Sequence, residues 1–275
     1  MVKVCVLTIF RDEAHVIFEW AKHYIMQGFD HLYMINNNSS DDYQSQLDLL
    51  STDKITIYHE IGDRIQIEAL QKYYNLIRNK YDWILICDLD EFLYLNNQDW
   101  TIKSFLDKIP IIIESVTVYW KIFIPSSFFQ PKSVIENNTI VDRNAKNPLY
   151  KSIIRTTILP YQIHHHIPKI NRNKIMIFFP NDNIIQLNHY RYQSWEFTLG
   201  VKFQRGGGHQ GNKRWKKLNK FRMSLDPEKH YIDDELKSRS QSIIDNVNEK
   251  IQIHPNTSIY NNHVYHRIKK NKKLC

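Results

Sequence analysis

The sequence predicts an α/β fold with a mostly parallel central sheet and helices on both faces. Three features of the first third of the chain carry this expectation. Short apolar, β-branched runs alternate with longer stretches of helical period. The first of these runs, Val2–Phe10, is apolar and β-branched, as in a buried strand. The links between them are short, as in repeated strand–helix–strand units.

The elements follow in order. Val2–Phe10 reads as a buried strand. Glu13–Gln27 sets Ile17, Trp20, Tyr24 and Ile25 on one helical face, and Gly28 supplies the stop. His31–Asn37 is a second strand, closed by the polar turn Asn38-Ser39-Ser40-Asp41-Asp42. Gln44–Leu50 is a short helix and Ile55–His59 a third strand. Ile65–Lys80 is a helix with Ile67, Leu70, Tyr74 and Ile77 in register, and Trp83–Cys87 a fourth strand. In the second half Ser115–Ile124, Ile153–Arg155, Ile175–Phe179 and Ile184–Leu187 read as strands, and Ser194–Gln204 and Asp233–Lys250 as helices. No repeat or Pro/Ser-rich linker divides the 275 residues, so one domain is expected.

Composition excludes several classes. With 42% hydrophobic and 24% charged residues and only 7 Gly and 9 Pro, the chain is neither disordered nor fibrous. Its 3 cysteines form no disulfide framework or zinc pair; Cys5 and Cys87 read as small buried hydrophobes in a reducing compartment. No run reaches the roughly 18–20 apolar residues of a membrane span. Taken as a whole chain, it is expected to be cytoplasmic, with peripheral membrane association as a variant. A net charge of +8 favours acidic partners such as nucleotide phosphates or anionic lipid.

Trp83–Cys87 would bury any charge at high cost, and Asp88-Leu89-Asp90-Glu91 follows at once. In an extended chain positions 88 and 90 face the same side. Two oxygen donors so placed suit Mg²⁺ or Mn²⁺. Ligands of parallel sheets sit beyond the carboxyl ends of the strands, so the polar clusters at 8–13, 36–42 and 88–91 should converge there.

These residues bring out a resemblance to glycosyltransferase family 92 and related family-2-like enzymes. Arg11-Asp12-Glu13, Glu19-Trp20 and Gly28 resemble the family's opening pattern, with Arg11-Asp12 standing for Lys-Asn. Asn37, Ser39 and Asp41 resemble its next turn, and Trp83 with Asp88-Leu89-Asp90-Glu91-Phe92 its most characteristic segment. Trp120 and Phe123, Lys151-Ser152-Ile153, His189-Tyr190, Ser194, Glu196-Phe197, Lys202 and Arg205-Gly206 continue it, over roughly residues 3–206.

The resemblance implies a GT-A fold and a metal-dependent, inverting glycosyltransferase using a nucleotide sugar, with UDP-sugar favoured. The acceptor would be a hydroxyl of a glycan, glycoprotein or glycolipid. A nucleotide-sugar-binding half over 1–95, an acceptor-side half over 96–206 and a lid with basic helical region over 207–275 are then expected. Thr8, Arg11 and Glu13 would contact base and ribose, with Asn37 beside them and Gln71 approaching from its helix. Asp88, Asp90 and His189 would hold the metal, Asp88 also contacting the donor. Glu196 is the candidate general base, with Glu136 and Asp142 as alternatives. His166 would line the sugar or acceptor site; a structural role for His164, His165 and His166 alike is the equal alternative.

Gly206-Gly207-Gly208 reads as a lid whose Lys213 and Arg214 reach the diphosphate. Lys213–Arg222 and the similar Lys269–Lys273 tail suit an anionic membrane surface or single-stranded nucleic acid, and no specific nucleic acid is expected. Two rival classes remain: a non-catalytic basic binding protein for nucleic acid or glycan, and a nucleotidyltransferase sharing the same metal logic.

Overall fold

Apolar strands can be buried on both faces, and Val4–Phe10 and Trp83–Ile86 of this chain are. A computed structural model describes residues 2–143, 149–179, 184–202 and 230–251. Two compact units are formed, Met1–Lys121 with Lys146–His189, and Ile122–Ala145 with Tyr190–Cys275.

The first unit opens with β1 (Val4–Phe10), α1 (Ala14–Met26), β2 (His31–Asn37), α2 (Tyr43–Asp48), β3 (Ile55–Glu60), α3 (Gln66–Ile77) and β4 (Trp83–Ile86). Strands β1 to β4 are parallel in the order β3-β2-β1-β4, with Leu7 opposite both Tyr33 and Ile86. Cys5, Leu7, Tyr33, Ile35, Ile84 and Ile86 pack beneath Leu70, Tyr74 and Ile77 of α3. The alternate residues Val4, Val6, Leu32, Met34 and Leu85 are buried too, which accounts for the unbroken apolar runs.

Beyond β4 the sheet turns mixed, so the parallel order is a property of the N-terminal block. β5 (Glu91–Leu95), α4 (Ile102–Asp107), β6 (Ile113–Ile124), β8 (Tyr150–Arg155), β9 (Ile175–Phe179) and β10 (Ile185–His189) complete the unit, β6 continuing into the second. β8 runs antiparallel between β4 and β6, with Ser152 opposite Ile86. β10 lies antiparallel to β5, with His189 directly opposite Glu91. β5 and α4 were not foreseen, because charge at Asp88–Glu91 masks the start of the first and Pro and polar residues surround the second.

In the second unit the end of β6 pairs antiparallel with β7 (Ile140–Asp142), and β7 with β11 (His230–Ile232). α5 (Val134–Asn137), α6 (Trp195–Phe197), α7 (Glu235–Arg239) and α8 (Gln241–Lys250) complete its described elements. The helix expected over 194–204 is one turn, α6, followed by a wider π turn at Thr198–Lys202. That expected over 233–250 is divided at Ser240. No helix among the described residues is long and apolar enough to cross a membrane.

Candidate functional site

The polar ends of the parallel strands meet as strand topology requires. Asp12 takes φ 53°, a left-handed conformation that, glycine apart, Asp and Asn tolerate best. Its N–H donates to Ser39 Oγ at 3.0 Å, and its carboxylate accepts the Ser40 N–H at 2.7 Å. Asp41 accepts the Ala14 N–H at 2.7 Å at the start of α1. The β1–α1 and β2–α2 turns are thus stitched together.

Of the expected donor contacts, Arg11 stands 3.6 Å from the Asp12 carboxylate and 3.9 Å from that of Asp63. Glu13 is buried at the start of α1, its carbonyl accepting from Val16 and Ile17. The Asn37 amide donates to Gly62 O at 3.1 Å and accepts from Gly62 N at 3.3 Å, tying β2 to the β3–α3 loop. Thr8 is fully buried, and its hydroxyl meets no partner among the described residues. Gln71 points elsewhere: its amide donates to Ile163 O at 3.1 Å. Gln66, at the first position of α3, instead reaches Asp88 Oδ1 at 3.3 Å.

Residues 88–90 form a turn, closed by Glu91 N–H donating to Asp88 O at 3.1 Å. The period-two placement of the two aspartates therefore does not hold, and they meet different partners. Asp88 Oδ2 pairs with Lys151 Nζ at 2.8 Å. Asp90 Oδ1 faces His189 Nε2 at 3.4 Å. Glu91, opposite His189 in the β5–β10 ladder, completes a set with Asp90 and His189 whose ligand atoms all lie within 4.8 Å of one another. Lys151 also stands 3.5 Å from Glu91 Oε2, so the turn carries one network.

Helix α1 holds this turn from behind. The Trp20 indole N–H donates to Asp88 O at 3.0 Å and Glu91 O at 3.1 Å. The Tyr24 hydroxyl donates to Glu91 O at 3.0 Å and accepts the Leu93 N–H at 3.1 Å. Core residues of an amphipathic helix thus also fix the site's backbone.

Electrostatics mark the cluster. Burial pushes the Glu91 carboxyl well above the usual range; Lys151 opposes this, while Asp88 and Asp90 reinforce it. Burial alone would lower Lys151, but the Asp88 and Glu91 carboxylates outweigh it and hold the ammonium above its ordinary value. Glu91 Oε1 is buried with no partner among the described residues. An octahedral ion with bonds of about 2.1 Å spaces neighbouring ligand atoms by about 3 Å. The Asp90–His189 pair is close to that spacing, and carboxylate with imidazole suits a borderline-hard cation, so the residues fit a divalent metal.

Glu196 is buried in the second unit, where its Oε2 accepts the Gln130 N–H at 3.1 Å. There too, Glu136 accepts from Asn248 at 3.3 Å and Asp142 lies on β7. Lys213, Arg214, the Gly206–Gly208 run and both basic segments lie outside the described residues. Glu91, Lys151 and Gln66 were missed as site residues. Charge within the apolar stretches flanking Glu91 and Lys151 was the available signal.

Fold and cluster define an α/β protein with a candidate divalent-cation site past the carboxyl ends of its parallel strands. The chain belongs to glycosyltransferase family 92, whose model matches residues 1–240. A family 92 protein of Arabidopsis thaliana is 25% identical over 218 residues, covering 74% of this chain and 37% of the relative. One from Ricinus communis is 24% identical over 217 residues, covering 74% and 38%. The chain thus spans less than two fifths of the length of these relatives. Among solved structures, HddC from Yersinia pseudotuberculosis is similar with TM-score 0.39 and 11% identity, over 67% of this chain and 92% of that one. Glucosyl-3-phosphoglycerate synthase from Mycobacterium tuberculosis, in complex with Mn²⁺, UDP-glucose and phosphoglyceric acid, is similar with TM-score 0.33 and 14% identity, over 44% of each chain.

Proposed function

We propose that this chain transfers a sugar from a nucleotide-sugar donor, UDP-sugar for preference, to an acceptor hydroxyl with divalent-cation assistance. Family membership supports the reaction class. One observation carries the metal assignment: Asp90, Glu91 and His189 bring three ligand atoms within 4.8 Å of one another at the turn after β4. When bound there, Mn²⁺ or Mg²⁺ would neutralise the diphosphate leaving group. The imidazole favours Mn²⁺.

The chain's own residues supply the rest of the reading. Asp90 and His189 are the primary ligands, and Glu91 joins them on giving up its proton. Asp88, held by Lys151 and Gln66, faces the donor rather than the ion. Arg11, Glu13 and Asn37, on the stitched turns, take the nucleoside, with Thr8 beneath them. Glu196 is assigned as general base for inversion, deprotonating the acceptor hydroxyl. Glycan, glycoprotein and glycolipid hydroxyls are the acceptor class, Lys213 the diphosphate contact, and the basic segments a peripheral contact with anionic membrane in the cytoplasm.

Thermal-shift screening of nucleotide sugars with and without Mn²⁺ tests this. Metal-dependent stabilisation by a nucleotide sugar is expected. Stabilisation by a nucleoside triphosphate with pyrophosphate release would instead mean nucleotidyl transfer. Salt-sensitive nucleic-acid binding without either would mean a binding protein.

A further inference from the structure

Large apolar side chains are exposed on three linked turns at one end of the first unit. Ile111, 72% exposed, and Ile112 form the turn before β6; Ile175 opens β9; Leu159 and Tyr161, the latter 71% exposed, follow β8. Scattered singly they would need no explanation, but gathered on linked turns they mark a contact surface. The Ile175 N–H donates to Ile112 O at 3.0 Å, and Lys174 Nζ to Ile111 O at 3.2 Å. The Gln162 amide donates to Asn171 Oδ1 at 3.3 Å, and the Lys169 N–H to Gln162 O at 2.9 Å. Glu114 holds Thr157 and Asn171 to the sheet beneath. We infer that this surface docks peripherally on an anionic lipid bilayer. The inference does not rest on the sugar-transfer reading, and the surface is separate from the basic segments.

The backbone of the tip points to lipid. Every carbonyl from residue 109 to residue 113 accepts a hydrogen bond from the protein. Arg155 Nη2 donates to Ile109 O at 2.8 Å and Pro110 O at 3.3 Å, and Arg155 Nε to Ile113 O at 2.8 Å. Pro110 O also accepts the Ile113 N–H at 2.9 Å, and Lys174 and Ile175 serve Ile111 O and Ile112 O. A turn facing water needs no such provision. One that presses toward the apolar region of a bilayer does, because lipid tails offer no donors.

Charge gives the sign of the surface. Lys108, Lys169 and Arg172 are exposed on or beside these turns, against the single exposed acid Asp107. Their aliphatic stems can lie along the isoleucines while the charged ends reach lipid phosphates. Tyr161 suits the headgroup level, where a ring is apolar and its hydroxyl stays wet. An acidic protein partner would need a groove to receive its side chains, whereas Ile111 and Ile112 stand at the tip of a turn. Arg155, which binds that turn, lies opposite Trp83 at the start of β4. The surface is therefore at the other end of that strand from Asp88, and docking leaves the cluster facing away from the lipid.

The test is flotation of the full chain with phosphatidylcholine vesicles, with and without phosphatidylserine. The wild type should float with phosphatidylserine vesicles and not with phosphatidylcholine alone. Ile111→Ser combined with Ile112→Ser should weaken binding by about tenfold at an unchanged melting temperature. Arg172→Glu should weaken it by about fivefold or more and flatten its salt dependence. Ile111→Trp keeps the tip apolar, so it should still bind, and brominated lipid should quench its fluorescence more than that of the wild type. No flotation of the wild type would overturn both this inference and the membrane reading of the basic segments. Flotation unchanged by the double variant, or no added quenching with Ile111→Trp, would overturn this inference alone and leave adhesion to the basic segments. Equal binding to both kinds of vesicle would also overturn it. Self-association abolished by the double variant, without flotation, would mean that a second copy covers the turns instead.

Discussion

Glu91 and Glu114 are both fully buried carboxyls of the first unit, yet their surroundings give them opposite jobs. Glu114 on β6 is hydrogen-bonded by neutral donors. It accepts from the Thr157 hydroxyl at 2.9 Å, the Asn171 N–H at 2.7 Å and the Asn171 side-chain amide at 2.6 Å. Both oxygens are satisfied, and the residue staples two loop positions to the sheet. Glu91 sits among Asp88, Asp90, Lys151 and His189, with one oxygen unbonded among the described residues. Burial alone therefore says little about a carboxyl. What counts is whether protein donors saturate it or leave acidic oxygens grouped for a cation.

The largest effect should come from Lys151→Met, which leaves the Asp88 carboxylate without its partner and removes the charge that opposes protonation of Glu91. A loss of about 2–3 kcal/mol in urea unfolding is expected, below the cost of breaking a fully buried pair because the Asp88 side chain is partly exposed. An unchanged midpoint would mean the ammonium does not offset Asp88 and Glu91. Next, Asp90→Asn should reduce turnover by more than the roughly 100-fold typical of outer-shell changes and abolish Mn²⁺ binding by calorimetry. Glu114→Gln should spare both, which is the sharpest form of the contrast. Its expected cost is stability alone, about 1–3 kcal/mol, because the replacing amide turns a donor toward Thr157 or Asn171.

A smaller effect is expected with pH. Glu91 has a raised folded-state value, so its favourable contribution is complete below the ordinary carboxyl range and is lost as pH rises through the folded value. Glu91→Gln should flatten that decline in the metal-free protein. His165 and His166 are lowered from 6.5 to about 4, so their contribution is present above 6.5 and lost as pH falls between those values. Phe at either position should blunt acid unfolding, followed by circular dichroism. The smallest change is expected for Gln71→Ala, whose amide meets a loop carbonyl: donor affinity should stay within about twofold.

The parallel block was legible from residue order because β1, β2 and β4 are largely buried and strand and helix runs alternate with short links. The turns at 8–13 and 36–42 converge for the same topological reason, and Asp12 bonds Ser39 and Ser40. Less legible were the antiparallel partners. Nothing in the spacing of Glu91 and His189, or of Asp88 and Lys151, reveals that each pair meets, since both contacts depend on registers between distant strands. Equally hidden was the turn at 88–90, where a two-residue alternation had been read.

By itself, then, the sequence determined the α/β order, the burial of Cys5 and Cys87 as free thiols, and the place where charge must emerge, after β4. Those are local matters of hydropathy and period, which neighbouring residues settle among themselves. Tertiary structure alone decided that Asp90 faces His189 while Asp88 turns to Lys151. Strand register and the Trp20–Tyr24 clamp fix those directions, and both arise only when segments dozens of residues apart pack together.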